Sequence, residues 1–259
     1  MHPLMQLIRP VWAAPEQIQV VSTTRIGGVS QAPYYSLNMG DHVGDRPAAV
    51  AKNRARLLSS LALPDAQWLT QVHGTACVEA QRDGVIREAD ACWTSETDLA
   101  CVIMTADCLP AVFTDGERVA AAHAGWRGLV DGVLEATLAQ FAGADMHVWL
   151  GPAIGPSVFE VGEEVRQQFC DHLAQSDDFF LPSVNQGKWL ADLYGLARLR
   201  LSVAGIDRVS GGDYCTYSDK IRSDTAGLNK NHLDSARFFS YRREQQTGRM
   251  ATLIWKTAR

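Results

Sequence analysis

Residues 101–138 read CVIMTADCLPAVFTDGERVAAAHAGWRGLVDGVLEATL, a stretch in which two strand-like segments precede a helical one. The segments 101–105 and 118–122 are short and apolar, with the length and β-branched content of buried strands. After the turn at 125–128, apolar side chains recur at helical spacing, so one face of that segment should pack on a sheet. The order strand, strand, helix predicts an α/β fold.

Two chemically capable side chains follow these strand-like segments. Cys108 comes after the first segment and His123 after the second. We expect a thiol and an imidazole to reach adjacent strand ends at one edge of a sheet. Ligand and active sites of α/β proteins usually lie at such an edge.

Length and composition set the class of protein. The chain has 259 residues, of which 46% are hydrophobic, enough for a substantial core. No internal repeat, low-complexity tract or Pro-rich linker interrupts it, so we expect a single domain over residues 1–259. The predicted architecture is a layered sandwich of mixed β-sheets flanked by helices.

Charge and hydropathy exclude several partners. The net charge is −5, and a nucleic-acid binder needs a basic face to neutralise phosphates, so no nucleic-acid partner is expected. No apolar run approaches the roughly 18 residues of a membrane span, and the first residues lack a signal-peptide pattern. The six cysteines include no C-x-x-C pair, which favours reduced thiols over disulfides. These features predict a cytoplasmic protein with no membrane partner.

The remaining chain offers further elements. Pro47 starts one predicted helix, and Asp192 is a plausible N-cap for another over 193–204. The segments 238–243 and 249–255, separated by a Thr-Gly turn, predict a hairpin. The polar stretch 216–236 predicts a surface loop.

A third candidate donor lies outside the first stretch. His73 ends the strand-like segment 68–72 and is followed by a glycine. With Cys108 and His123 it completes the inventory of a catalytic zinc site, three N/S donors and an open fourth position. Because no short signature such as H-E-x-x-H is present, three separately explained residues remain the alternative. A second functional hypothesis makes Cys108 a thiolate nucleophile and His123 its base, without metal.

Many sequence blocks resemble those of the YfiH-like family, also described as the multicopper polyphenol oxidase or laccase-domain family. The resemblance covers nearly the whole chain, and its blocks are TRIGGVS (24–30), LNMGDHVGD (37–45), WLTQVHGT (68–75), ADACWT (89–94), MTADCLPAVF (104–113), AAHAGWRG (121–128), GPAIGPSVFEVG (151–162), FFSYRR (238–243) and TGRMATLIW (247–255). The fold implied is similar to that of a toxin deamidase with a Cys and His pair.

The resemblance implies a zinc-dependent enzyme of purine nucleoside metabolism, with copper as a possible substitute metal. Its ligands carry over to His73, Cys108 and His123. The implied reactions are phosphorolysis of adenosine, inosine and S-methyl-5′-thioadenosine, and deamination of adenosine. The alternatives are a hydrolase that edits peptidoglycan precursors and a metal-free Cys/His hydrolase. A copper polyphenol oxidase is the weaker alternative, because three Cys/His ligands cannot hold a multinuclear copper cluster.

Phosphorolysis requires a nucleoside and a phosphate as partners, so an anion site is predicted. Arg25 stands beside two glycines whose backbone N–H groups can approach a ligand. Asn38 and Arg46 bracket the polar loop that follows and are also predicted to bind substrate. We expect this loop to fold over the metal edge, with Arg25 as the main anion contact. Asp107, the nearest carboxylate to Cys108 in sequence, is a candidate proton carrier.

Overall fold

The computed structural model describes residues 4–142, 145–220 and 236–258. Helices and strands alternate along it in an irregular order. The strands are β1 (Leu7–Ile8), β2 (Ile18–Thr23), β3 (Asp65–Gln67), β4 (Leu69–Thr70), β5 (Cys77–Glu79), β6 (Arg87–Glu88), β7 (Ala91–Thr94), β8 (Leu99–Thr105), β9 (Leu109–Thr114), β10 (Val119–Ala124), β11 (His147–Leu150), β12 (Glu160–Gly162), β13 (Phe180–Pro182), β14 (Lys188–Ala191), β15 (Val209–Gly211) and β16 (Met250–Lys256). The helices are α1 (Pro47–Ser60), α2 (Trp126–Asp131), α3 (Val133–Leu138), α4 (Glu163–His172), α5 (Leu193–Val203) and α6 (Tyr241–Glu244), with a 3₁₀ helix at Ala174–Phe179.

Two large sheets dominate the fold. The first has five strands in the order β1-β2-β16-β8-β3, and the second has six in the order β15-β11-β9-β10-β7-β5. Each combines antiparallel and parallel pairs, since β3 runs parallel to β8 while β5 and β15 run parallel to their neighbours. The predicted α/β class with mixed sheets is therefore confirmed.

Alternation along the central strands sorts the core into layers. On β9, Leu109 and Phe113 join the cluster under α2 to α5, whereas Val112 joins a cluster shared with the five-stranded sheet. On β8, Val102 packs with Leu57 of α1 in a third cluster. Because successive strand residues face opposite sides, the order of layers is helices, six-stranded sheet, five-stranded sheet, helix.

The strand order corrects how the sequence brings Cys108 and His123 together. The strand preceding Cys108, β8, belongs to the five-stranded sheet, while His123 lies on β10 of the other sheet. Cys108 instead directly precedes β9, and β9 pairs with β10 so that Leu109 faces Ala124. The two donors therefore meet across the β9–β10 pair. The segment between β8 and β9 crosses from one sheet to the other at the site.

Other predicted elements vary in outcome. Both predicted helices form as α1 and α5, and the Asp192 carboxylate accepts hydrogen bonds from two N–H groups of α5. The segment 68–72 forms only the two-residue strand β4. The predicted hairpin is wrong: Ser240 caps the short helix α6, and β16 pairs with β2 and β8 instead.

Two further features concern helices and loops. Gly132, at φ 101°, ends α2 and starts α3, so the predicted single helix is two. Most of the predicted surface loop at 216–236 lies outside the described residues. Within the described part, no helix combines the length and apolar character needed to cross a membrane.

Candidate functional site

Three side chains that are far apart in sequence meet at one end of the sandwich. The imidazoles of His73 and His123 and the thiol of Cys108 place one ligand atom each within 4.8 Å of the others. The two imidazole rings lie edge to face with centroids 4.7 Å apart, and the Cys108 Sγ is 3.9 Å from the His73 Nε2. His73 is exposed, Cys108 is half-buried and His123 is buried, so the group opens to solvent on the His73 side.

A buried carboxylate that the sequence reasoning missed holds two of these residues. Asp90 is fully buried, and its Oδ1 accepts a hydrogen bond from the Nδ1 of His123 at 2.8 Å. Its carboxylate also accepts the backbone N–H groups of Val72, His73 and Gly74 at 2.7 to 3.2 Å. Because Nδ1 is engaged, the Nε2 of His123 is the ring nitrogen free to bind a metal or substrate.

Backbone conformation explains why the Asp90 carboxylate is needed. His73 adopts φ 63°, in the left-handed region that non-glycine residues seldom occupy. The three N–H groups at 72–74 converge on one carboxylate, which stabilises this turn. One buried side chain therefore orients a ligand ring and supports the loop that carries a second ligand.

Gly125 leaves the space that these donors fill. A Cβ at this position would lie 2.9 Å from the Cδ2 of His73 and 3.2 Å from the Cys108 Sγ. The first distance is shorter than side chains tolerate, so any larger residue would displace the imidazole. Glycine is therefore required here for close approach, although its backbone is extended, with φ −60° and ψ 156°.

The thiol and the buried imidazole favour each other's charged forms. Burial raises the pKa of Cys108, but the charges and hydrogen bonds of His123 and His73 outweigh burial and lower this pKa to about 6. Burial lowers the pKa of His123, but Cys108 and Asp90 together raise it to about 9. Cys108 is therefore a thiolate at neutral pH, the form in which cysteine binds metals and attacks electrophiles.

These donors lie in an open cleft of about 510 Å³, within the range of small-molecule sites. Its walls combine aromatic and apolar surface with positive charge. The apolar part is formed by Trp126, Ile154 and Phe159, and the positive part by Arg127, Arg242 and Arg249. The cleft offers flat surface for a ring and guanidinium groups for an anion.

Asp107 lines this cleft, but both oxygens of its carboxylate accept hydrogen bonds from the protein. Its Oδ1 accepts a hydrogen bond from the Thr216 hydroxyl at 2.7 Å, and its Oδ2 accepts the backbone N–H of Arg242 at 2.6 Å. Asp107 adopts φ 93°, so these bonds also stabilise an unusual backbone. The geometry favours a positioning role, in which Asp107 links the segment around Cys108 to α6.

The residues predicted to bind substrate are not among those that line the cleft. Arg25 is buried, forms an ion pair with Glu244 at 2.7 Å and stacks on a phenylalanine ring. Asn38 is fully buried and closes backbone turns at Gly40 and Arg249. Arg46 is exposed at the start of α1. Arg127 and Arg249 stand at turns that indicated only where elements begin or end, so they were missed as cleft residues.

The donor set fits a single metal ion. Two imidazoles and a thiolate are ligands that zinc and copper both accept, and the Asp90–His123 hydrogen bond is the support that metal-bound histidines usually have. In the part of the chain that the structure describes, these three residues form the only cluster of metal-binding side chains. The three residues that would hold the ion are His73, Cys108 and His123.

The chain is similar to known proteins over almost its full length. The family described as multi-copper polyphenol oxidoreductase laccase matches residues 19–257. A Pseudomonas aeruginosa protein named purine nucleoside phosphorylase is 51% identical, with 96% of this chain and 97% of the relative covered. The Escherichia coli purine nucleoside phosphorylase YfiH is 45% identical, with 97% of this chain and 99% of the relative covered. The crystal structure of a Neisseria meningitidis protein superposes with a TM-score of 0.87 at 44% identity, over 97% of this chain and 99% of that one.

Proposed function

Because the chain belongs to the multi-copper polyphenol oxidoreductase laccase family, in which relatives are named purine nucleoside phosphorylase, we propose that it is a zinc-dependent purine nucleoside phosphorylase. Its substrates are adenosine, inosine and S-methyl-5′-thioadenosine. The observation that carries the proposal is the His73, Cys108 and His123 group, which lies in a cleft with both aromatic and cationic walls. Such a cleft suits a purine nucleoside together with a phosphate.

The aromatic walls suit the base. Trp126 and Phe159 both line the cleft, and each carries a guanidinium over its ring, Arg127 at 4.3 Å and Arg242 at 5.5 Å. A purine can stack on such surfaces without a specific hydrogen-bond pattern, which suits an enzyme with several purine substrates.

Phosphorolysis forms one bond and breaks another at the ribose. A phosphate oxygen bonds to C1′ as the bond from C1′ to N9 breaks, and the purine leaves with a proton on its ring, giving ribose 1-phosphate. Zinc, when bound, supplies Lewis acidity to polarise an oxygen or nitrogen of the substrate. Asp90 fixes the His123 ring so that Nε2 faces the reacting groups, and the cleft walls orient the nucleoside.

Adenosine deamination is the second activity that we propose for the same cleft. It replaces the C6 amino group with oxygen from water and releases ammonia. A proton carrier is needed to protonate the leaving group. Asp107 is the carboxylate of the cleft, and it would have to exchange one of its two hydrogen bonds to serve as this carrier.

The test is an assay of product formation from inosine. Metal-loaded protein should release hypoxanthine and ribose 1-phosphate only when phosphate is supplied, and a chelator should abolish this release until zinc is restored. Base release without phosphate would identify a nucleoside hydrolase instead. Oxygen consumption with a phenol and copper, without phosphorolysis, would support the oxidase alternative, for which one three-donor cluster in the described chain provides few ligands.

A metal-free cysteine hydrolase is the second candidate, since the Cys108 thiolate lies beside two imidazoles. Such a nucleophile would also suit the editing of peptidoglycan precursors. All six cysteines are free, which supports action in a reducing compartment such as the cytoplasm.

Alkylation rates separate the two chemistries. In the zinc-loaded protein Cys108 should react with iodoacetamide at least about ten-fold more slowly than after chelation, because a metal-bound thiolate is masked. Cys170, which is half-buried on α4 away from the cleft, is the internal control and should react at one rate in both states. Rapid alkylation of the loaded protein, together with a covalent substrate adduct in the mass spectrum, would favour the hydrolase.

A further inference from the structure

Three arginines line the cleft, whereas the one carboxylate among its described residues, Asp107, is hydrogen-bonded by the Thr216 hydroxyl and the backbone of Arg242. The three are Arg127, Arg242 and Arg249, and none forms an ion pair within the described residues. The arginines behind the cleft differ from these three because they form ion pairs, Arg25 with Glu244 and Arg54 with Asp41. In a chain of net charge −5, this local excess is a feature of the cleft itself.

Arg249 is the most rigidly held of the three cleft arginines. Its backbone N–H donates to the Asn38 Oδ1 at 2.9 Å, and its Nη1 donates to the carbonyls of Thr247 and Gly248 at 3.1 Å each. The aliphatic part of its side chain packs on Gly40, where an added Cβ would lie 2.8 Å from its Cγ. Arg249 therefore loses little side-chain freedom when an anion binds.

Its position along β16 brings it to the candidate metal group. Met250 pairs with Thr105 at the end of β8, so Arg249 extends past that strand end toward the segment that carries Cys108. Both residues line the same cleft. Burial lowers the pKa of Arg249, while the charges of Cys108 and Asp107 raise it, which is consistent with a desolvated guanidinium close to the thiolate.

An imidazole ring lies next to Arg249 in the cleft. His42 lines the cleft next to it, and its Nδ1 lies 3.5 Å from the Oδ1 of Asp41, whose other oxygen pairs with Arg54. Burial and the positive charge of Arg249 lower the pKa of His42, and the hydrogen bond and charge of Asp41 oppose that shift.

We propose that Arg249 is the residue that holds the phosphate co-substrate, with His42 beside it, in place of the Arg25 site predicted from sequence. This assignment rests on the proposed phosphorylase function. The guanidinium fork matches two phosphate oxygens. The phosphate then lies between Arg249 and the metal group, with the nucleoside on the aromatic side.

The test compares Arg249→Gln with the wild type in zinc-loaded protein. The KM for phosphate should rise about ten- to one hundred-fold, the range expected for charge-assisted hydrogen bonds, while the KM for inosine changes less than about two-fold. Calorimetric titration with inorganic phosphate, without nucleoside, should show the same loss of affinity. Arg249→Lys keeps the positive charge but loses the forked guanidinium. Its KM for phosphate should lie between the values of the wild type and Arg249→Gln.

Two matched variants serve as controls. Arg9→Gln removes an exposed arginine outside the cleft and should leave both KM values unchanged. Arg25→Gln tests the sequence-based prediction directly. An unchanged phosphate KM in Arg249→Gln, an equal rise in both KM values, or a larger phosphate effect in Arg25→Gln would overturn the assignment. Absence of phosphorolysis in the wild type would instead refute the proposed function, and the phosphate titration would still decide the role of Arg249.

Discussion

Cys108→Ala should lose its bound zinc and nearly all phosphorolysis while remaining folded. Removing a residue that merely supports a metal ligand costs about 10- to 100-fold in affinity, so loss of a ligand should cost at least about a hundred-fold. The variant should fold because Cys108 is half-buried at the cleft and belongs to none of the three core clusters. His73→Ala and His123→Ala should also lose zinc and activity while remaining folded, and His123→Ala should in addition be less stable because it breaks the buried pair with Asp90.

Zinc content after gel filtration, measured by atomic spectroscopy, checks this expectation. Cys170→Ala removes another half-buried thiol and should retain wild-type zinc and activity. Circular dichroism establishes that each variant is folded. Stoichiometric zinc in purified Cys108→Ala would refute the ligand assignment.

Asp90→Ala should lower the free energy of unfolding by about 3–5 kcal/mol, the cost of breaking a buried charge pair. The substitution leaves three backbone N–H groups and the His123 Nδ1 without the buried carboxylate that accepts their hydrogen bonds. This loss is a large part of a total stability of about 5–15 kcal/mol. It should lower the Tm by about 6–20 °C.

Thermal unfolding of the metal-free protein is the appropriate measurement, since bound metal would add its own stabilisation. Asp178→Ala, which removes an exposed carboxylate, should shift the Tm by less than about 2 °C. Asp90→Asn retains one acceptor oxygen, so its Tm should lie between those of Asp90→Ala and Asp178→Ala. A Tm loss in Asp90→Ala no larger than in the control would show that the network around Asp90 contributes little to stability.

The sequence was informative where local pattern and chemistry coincide. The apolar segments around Cys108 and His123 became buried strands, and the donors were identified because few residue types can bind metal. The fold class followed from the same pattern. A residue that supports a metal ligand is harder to recognise from sequence than the ligand itself. Asp90 carries one signal, because it is a single carboxylate between two alanines just before a strand.

The anion site was harder because its members come from distant parts of the chain. Arg25 stands in a glycine-rich turn, which suggested a ligand, yet its partner is Glu244, 219 residues away. Arg249 stands just before β16, where the predicted hairpin would have directed the strand elsewhere. Only the pairing of β16 with β8 brings Arg249 to the cleft, and such long-range pairing has no local sequence signal.

The position of β16 at the centre of its sheet has a consequence for synthesis on the ribosome. β16 separates β2 from β8, although it is translated about 150 residues after β8, on the order of ten seconds later. During that interval the wholly buried, apolar strand β8 lacks its neighbour and exposes an edge that favours aggregation. We expect the nascent chain to depend on holding chaperones until residues 250–256 emerge, with the six-stranded sheet acquiring protease resistance first.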